Sequence, residues 1–189
     1  MSRKISFSLS LDSIKSAIDA LESYKIDIRN KCGYAIQKLA DRGIMVAKQE
    51  VGGFGKHITF TRTGAVGTND GIRCTVYAAN TSLLTVEWQT LDGVKSVDIS
   101  PILMAEFGSG QNADNARAKK FGMGTGTFPG QTHAEDPTGW WYMDLDGEWH
   151  HSMGATPTRP MYEAAQEIFR SVEQVFKEVF STSGVSYND

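Results

Sequence analysis

Two hydrophobic periods alternate along this chain, and each predicts an element. Ile5, Phe7 and Leu9 alternate with Lys4, Ser6, Ser8 and Ser10, the two-residue period of a short half-buried strand. The period then lengthens. Ile14, Ala17, Ile18 and Leu21 recur at three and four residues, and Ile28, Cys32, Ala35, Ile36, Leu39, Ala40, Val46 and Ala47 continue the series. With Ser10 or Asp12 as a cap and Gly52-Gly53 as the stop, the spacing predicts a long amphipathic helix with a break near Ser23–Tyr24. At the other end, Met161, Ala164, Ala165, Ile168, Val172, Val175, Phe176 and Val179 mark a core-facing helix of about 20 residues after Pro157 and Pro160. A frayed tail is expected over 181–189.

Between these helices the two-residue period returns. A short strand is expected at His57–Thr61. Ile72, Cys74 and Val76 alternate with Arg73, Thr75 and Tyr77, and Leu84, Val86 and Trp88 alternate with Thr85, Glu87 and Gln89. The linker Ala79-Asn80-Thr81-Ser82 has hairpin length, so these two runs are expected to pair. Leu91-Asp92-Gly93 reads as a turn. Ser100-Pro101 reads as a cap followed by proline in the first helical turn, opening a short helix Ile102–Phe107 that Gly108 ends. The aromatic runs Trp140–Met143 and Glu148–His151 flank Asp146-Gly147 and predict a second hairpin. The predicted class is α+β: an antiparallel sheet from strands near 72–90 and 140–151, packed on the two helices. It is read as a single domain over residues 1–189, with an extended flexible glycine-rich loop at about 108–138.

Composition sharpens this picture in two places. Sixteen of the 19 glycines fall between Gly52 and Gly154, which makes the middle loop-rich. Charge follows the same division: residues 1–51 carry 9 basic and 6 acidic groups, residues 52–154 carry 7 and 11, and residues 155–189 carry 3 and 5. The net charge of −3 opposes binding to nucleic acid through a general basic surface. No apolar run nears the roughly 18 residues of a membrane span, and the alternating N-terminus does not read as a signal peptide. Cys32 and Cys74 fall on apolar stripes, expected to be core, and lack metal-ligand spacing, so a reducing compartment is the default.

Candidate chemistry is sparse. Asp144-Leu-Asp146-Gly-Glu148 with His150 and His151 offers oxygen and imidazole ligands around a glycine turn, but the same residues serve a tight hairpin for backbone reasons. Adjacent strand histidines point to opposite sheet faces, so His150 and His151 are not expected to share an ion. Gly108-Ser-Gly110 and Gly122-Met-Gly124-Thr-Gly126 lack the strand before and helix after that a phosphate loop needs. Serines sit in no nucleophile elbow. Glu106, just before the long loop, has no partner that spacing identifies. No catalytic residue, metal ligand or cofactor is assigned. Lys31, Lys38 and Lys48 give the first helix a basic face that reads as solvated exterior, with DNA contact as the other reading.

Five segments, in order, resemble the gene-product-ten-like family of tailed bacteriophages, tail components and head–tail joining proteins. They are the long first helix over residues 11–51, Thr63-Gly64-Ala65 (with Arg62 where the family favours an acid), Ala105-Glu106-Phe107-Gly108-Ser109-Gly110, the hairpin Gly139–His151, and Pro160-Met161-Tyr162-Glu163-Ala164-Ala165. The resemblance covers roughly residues 11–180. It implies a non-enzymatic structural protein of a siphophage neck or tail. Such a protein joins or completes the tail as part of a homo-oligomeric ring, a hexamer favoured, around the DNA channel. It implies neighbouring head-completion, tail-terminator or tail-tube proteins as partners, DNA passing without sequence-specific binding, and no membrane. The expected location is the virion, after assembly in the host cytoplasm. The aromatics and flanking residues Glu106, Phe107, Trp140, Trp141, Trp149, Met161 and Tyr162 are the expected assembly interface, since aromatics concentrate at interface hot spots. The alternative function is a divalent-metal-dependent binding or enzymatic module built on the Asp144–His151 hairpin.

Overall fold

The computed structural model describes residues 10–120 and 137–181. The expected strand at residues 5–9, the tail beyond residue 181 and residues 121–136 of the expected loop lie outside the described residues. Helix α1 runs unbroken over Leu11–Glu50, so the expected break at Ser23–Tyr24 is absent. Ser10 caps it, its hydroxyl accepting from the Ser13 N–H at 3.3 Å. At 1.5 Å per residue α1 is about 60 Å long. Gly52, at φ 62°, takes the left-handed conformation that ends the helix and turns the chain into a short 3₁₀ segment, Gly52–His57.

The second long helix is Pro160–Ser181; with two short helices before it, Pro101–Phe107 (α2) and Asn115–Lys120 (α3), it is α4. It packs antiparallel along the C-terminal part of α1. Ala35 and Leu39 meet Val175 and Val179 in one buried cluster, with Ile168 and Phe176 at its edge. Burying Leu39, Val175 and Val179 contributes about 1.5–3 kcal/mol each. Lys38 donates to Glu178 at 2.7 Å along the seam. Where the helices draw closest, a Cβ on Gly43 would stand 2.7 Å from Ile168 Cδ1, so this position is close-packed because it is glycine. A second cluster joins Ala47 and Val51 of α1 to Ile58, Phe60, Ala105 and Ala164.

Strand β1, Ile58–Arg62, pairs antiparallel with β4, Val76–Asn80, placing Phe60 opposite Ala78. The small hairpin β2–β3, Val66–Thr68 and Gly71–Arg73, sits between them in sequence. The expected hairpin between the runs at 72–77 and 84–89 is therefore corrected. The run Leu84–Thr90 (β5) pairs instead with Gly93–Ile99 (β6), through a two-residue turn at Leu91-Asp92. Two features decide it. Phe60 and Ala78 join the core only when β1 and β4 are partners, and Gly93, at φ 113°, supplies a tighter turn than Ala79–Ser82.

The aromatic hairpin forms as expected, as β7 (Trp140–Met143) and β8 (Trp149–Ser152). It joins the β5–β6 hairpin through one pair, Gln89 opposite Met143, giving the strand order β6-β5-β7-β8. The class is α+β. The sheet beneath α1 is β1–β4, while Met104 of α2 and the Gly154-Ala155 segment face the four-stranded sheet. Part of the expected 108–138 loop is structured: a 3₁₀ turn at Gly110–Asn112 and then α3. Both cysteines are half-buried rather than core, and the Cys74 thiol donates to the Thr63 carbonyl at 3.1 Å.

Candidate functional site

The first feature is a junction of three helix ends. Ser100 caps α2, and the Asn80 side chain pins that cap from both sides: its Nδ2 donates to Ser100 Oγ at 2.8 Å and its Oδ1 accepts the Ile102 N–H at 3.0 Å. This aims Glu106, 7% exposed, at the start of α4. One carboxylate oxygen of Glu106 is paired with the Arg117 guanidinium, and the other accepts the Met161 N–H at 2.9 Å, a favourable place for negative charge at a helix N-terminus. The same guanidinium lies between two rings, 5.2 Å from the Phe107 centroid and 5.0 Å from that of Tyr162.

Burial holds the Arg117 guanidinium below its ordinary value, and the like charge of Arg159 acts in the same direction. Arg159 itself, at φ 59°, donates to Asp114 at 3.1 Å, so Arg159 ties the start of α3 to the chain leading into α4 while Arg117 ties α3 to α2. Four expected interface residues therefore meet here: Glu106, Phe107, Met161 and Tyr162. Glu106 and Phe107 are enclosed by the chain itself, Met161 is half-buried, and Tyr162 faces outward. Both Glu106 oxygens are engaged, which makes it a fastener. Sequence alone does not single out Arg117: it sits in a basic trio with Lys119 and Lys120, and nothing in spacing sets it apart.

The second feature is the aromatic hairpin. Asp144 Oδ1 accepts the N–H groups of Asp146 at 3.0 Å and Glu148 at 2.9 Å, while Oδ2 lies 2.6 Å from His150 Nε2. The His150 contact, then the Glu148 N–H, holds the Asp144 carboxyl below the usual aspartate range. Glu148 completes a group whose ligand atoms all lie within 4.8 Å of one another. His151 points the other way, toward the Thr138 carbonyl at 2.7 Å and the Trp141 ring at 4.8 Å, so the two histidines do occupy opposite faces. A concavity of about 710 Å³ opens beside the hairpin, and all four tryptophans of the chain, Trp88, Trp140, Trp141 and Trp149, line it together with Val86 and Met104. Trp141 and Trp149 are each 65% exposed.

Further contacts hold the neighbouring segments in place. A Cβ on Gly110, at φ 59°, would stand 2.4 Å from the Trp140 ring, and Ser109 Oγ accepts the Ala155 N–H at 2.9 Å. Arg62 binds Asp41 of α1 through two nitrogens, at 2.6 and 3.0 Å, which fastens the Thr63-Gly64-Ala65 segment to the helix. Two lysines of the basic face are already paired, Lys31 with Asp27 at 3.1 Å and Lys38 with Glu178. No helix among the described residues is long and apolar enough to cross a membrane. Comparison with protein-family models, with curated proteins and with solved structures finds no match to this chain.

Proposed function

We propose that this chain is a non-enzymatic structural subunit of a siphophage neck or tail, joining or completing the tail at the head–tail interface within a ring around the DNA channel. The observation that supports it is the convergence of three separated hallmark segments. Glu106-Phe107-Gly108-Ser109-Gly110 meets Pro160-Met161-Tyr162 through the Glu106–Met161 hydrogen bond and the Arg117 junction, and meets the Trp140 hairpin through the Gly110–Trp140 contact. Segments that meet in this way act as one rigid unit, which suits a subunit presenting fixed surfaces to neighbours in a virion.

In this reading the DNA passes through the channel without specific contact, and the pairing of Lys31 and Lys38 with carboxylates leaves fewer free cations to hold phosphates. Deleting the gene should yield heads that lack attached tails, and antibody labelling should place the protein at the neck or tail top. Tailed virions of normal appearance from the deletion would end the proposal. A second reading rests on Asp144, Glu148 and His150, whose ligand atoms lie close enough to hold a divalent ion. Elemental analysis, with melting in the presence and absence of chelator, decides it: a stoichiometric metal and a chelator-sensitive melt favour that reading.

A further inference from the structure

Helix α4 carries two apolar stripes, and α1 fills one of them. Ala164, Ile168, Val175 and Val179 face α1 and its core clusters. Tyr162, Ala165, Phe169, Val172 and Phe180, with Phe176 shared with the α1 cluster, form a second stripe at steps of three and four residues. Phe169 is 83% exposed, and Tyr162, Val172 and Phe180 are exposed as well. Those four side chains leave on the order of 400 Å² of apolar surface open, taking roughly 200 Å² for a large side chain. That is about the apolar share of the roughly 800 Å² that each partner contributes to a stable interface.

Helix α1 offers a matching stripe. The side that packs on α4 from Ala35 to Ala47 continues toward the N-terminus as Leu11, Ile14, Ile18, Leu21 and Ile28. Leu11 is 86% exposed, and Ile18 and Leu21 are exposed too. Ile14 and Ile28 are half-buried and Ala17 on the same side is buried, so the open part of the stripe is carried by Leu11, Ile18 and Leu21. The described part of α4 reaches Ser181, and its last buried residue, Val179, packs near Ala35, so the first half of α1 extends past it. The two stripes, each open in part, are of similar length, about 26 Å for Leu11–Ile28 and about 27 Å for Tyr162–Phe180 at 1.5 Å per residue. A continuous helix already laid along the first stripe of α4 cannot also lay its N-terminal half along the second stripe of the same α4. A second copy can.

We propose that the Leu11–Ile28 stripe of one copy seats on the Tyr162–Phe180 stripe of the next. This contact joins two different surfaces, so it repeats head to tail and closes into a ring when the rotation permits. It rests on the assembly reading above and specifies the contact that reading needs.

The test uses two full-length variants at exposed positions, Leu21→Asp in the arm and Phe169→Asp in the seat, each checked for unchanged circular dichroism. In sedimentation velocity the unaltered protein should form multimers and each variant alone should run as a monomer. An equimolar mixture should give dimers and nothing larger, because a single intact arm meets a single intact seat. Four results overturn the proposal: a monomeric unaltered protein, multimers from either variant alone, dimers of Phe169→Asp alone (arm pairing with arm), or a mixture that stays monomeric. These outcomes concern the contact alone. Loss of the contact with the gene still required for tails leaves the neck reading standing, whereas tails that form without the gene remove the reading itself.

Discussion

Glu106 holds three helix ends with a single carboxylate, and its chemistry sets what substitution will do. One oxygen answers the Arg117 charge and the other the Met161 amide, so Glu106→Gln keeps an acceptor for the amide but leaves the guanidinium without its counter-charge. Removing one partner of a fully buried pair costs about 3–5 kcal/mol. The Arg117 side chain keeps 20% of its surface exposed and can turn outward, so about 2–3 kcal/mol is expected from urea denaturation. Arg117→Met should cost a similar amount, and the double variant less than the sum by about 1 kcal/mol or more. Additive losses would show that the two residues do not act together. Asp144 makes a prediction in pH. Its folded pKa is lowered, so its contribution is complete at neutral pH, declines as pH falls through the ordinary aspartate value of about 4, and is gone below the lower folded value. The amide resonances of Asp146 and Glu148, which report on its Oδ1, should therefore titrate with a midpoint below about 4 in NMR spectra. A midpoint above that value would mean the carboxyl is not held in the turn.

At the scale of elements, two glycines within α1 separate propensity from packing. A Cβ on Gly33 would meet Ala65 Cβ at 3.7 Å, an ordinary contact, so Gly33→Ala should gain the helix preference of alanine and raise stability by about 1 kcal/mol. A Cβ on Gly43 would crowd Ile168 and stand 3.2 Å from the Ala164 carbonyl, which is backbone and cannot swing aside. Gly43→Val adds branches to that clash and should lower stability by about 2 kcal/mol, read from the helical circular dichroism signal during thermal unfolding. A gain at both sites would mean that the α1–α4 contact is looser than described, and a loss at both that the Gly33–Ala65 contact is tighter. The same helices show why much of the fold was legible in sequence: a period of 3.6 sustained over five or more turns has few competing explanations, and Ser10, Ser100 and Gly52 mark ends by chemistry that is local. Strand pairing was less legible because partners are chosen at a distance. Val94 falls on one face of β6 and Val97 and Ile99 on the other, so that strand never showed a clean alternation. The run at Ile72–Tyr77 alternated well, yet it splits between two strands with different partners. In the candidate site, Glu106 stood out by its position before a loop, while Arg117 became visible only when α3 folded back on it.

On the scale of the whole molecule, two kinds of open surface lie on different elements, and the tryptophans can tell them apart. All four belong to the four-stranded sheet: Trp88 to β5, Trp140 and Trp141 to β7, and Trp149 to β8. None is on α1 or α4. Indole emission moves to shorter wavelength when water leaves the ring, so the intrinsic fluorescence of this protein reports on the sheet concavity and is nearly blind to the helices. Self-assembly through the arm and seat should change the sedimentation coefficient while leaving the emission maximum where it stands in Leu21→Asp. The exposed Trp141 and Trp149 then remain available for a different neighbour, as the proposed ring between a head-side and a tail-side protein would require. Under the proposed neck role, adding the adjoining neck or tail protein to the multimer should shift the emission to shorter wavelength, and Trp149→Ala should weaken that binding at least tenfold, the loss of roughly 1.4 kcal/mol or more from a hot-spot aromatic. A blue shift that accompanies self-assembly would instead place the subunit contact at the hairpin. An unchanged spectrum with the neighbour bound would leave the concavity without a role in that contact.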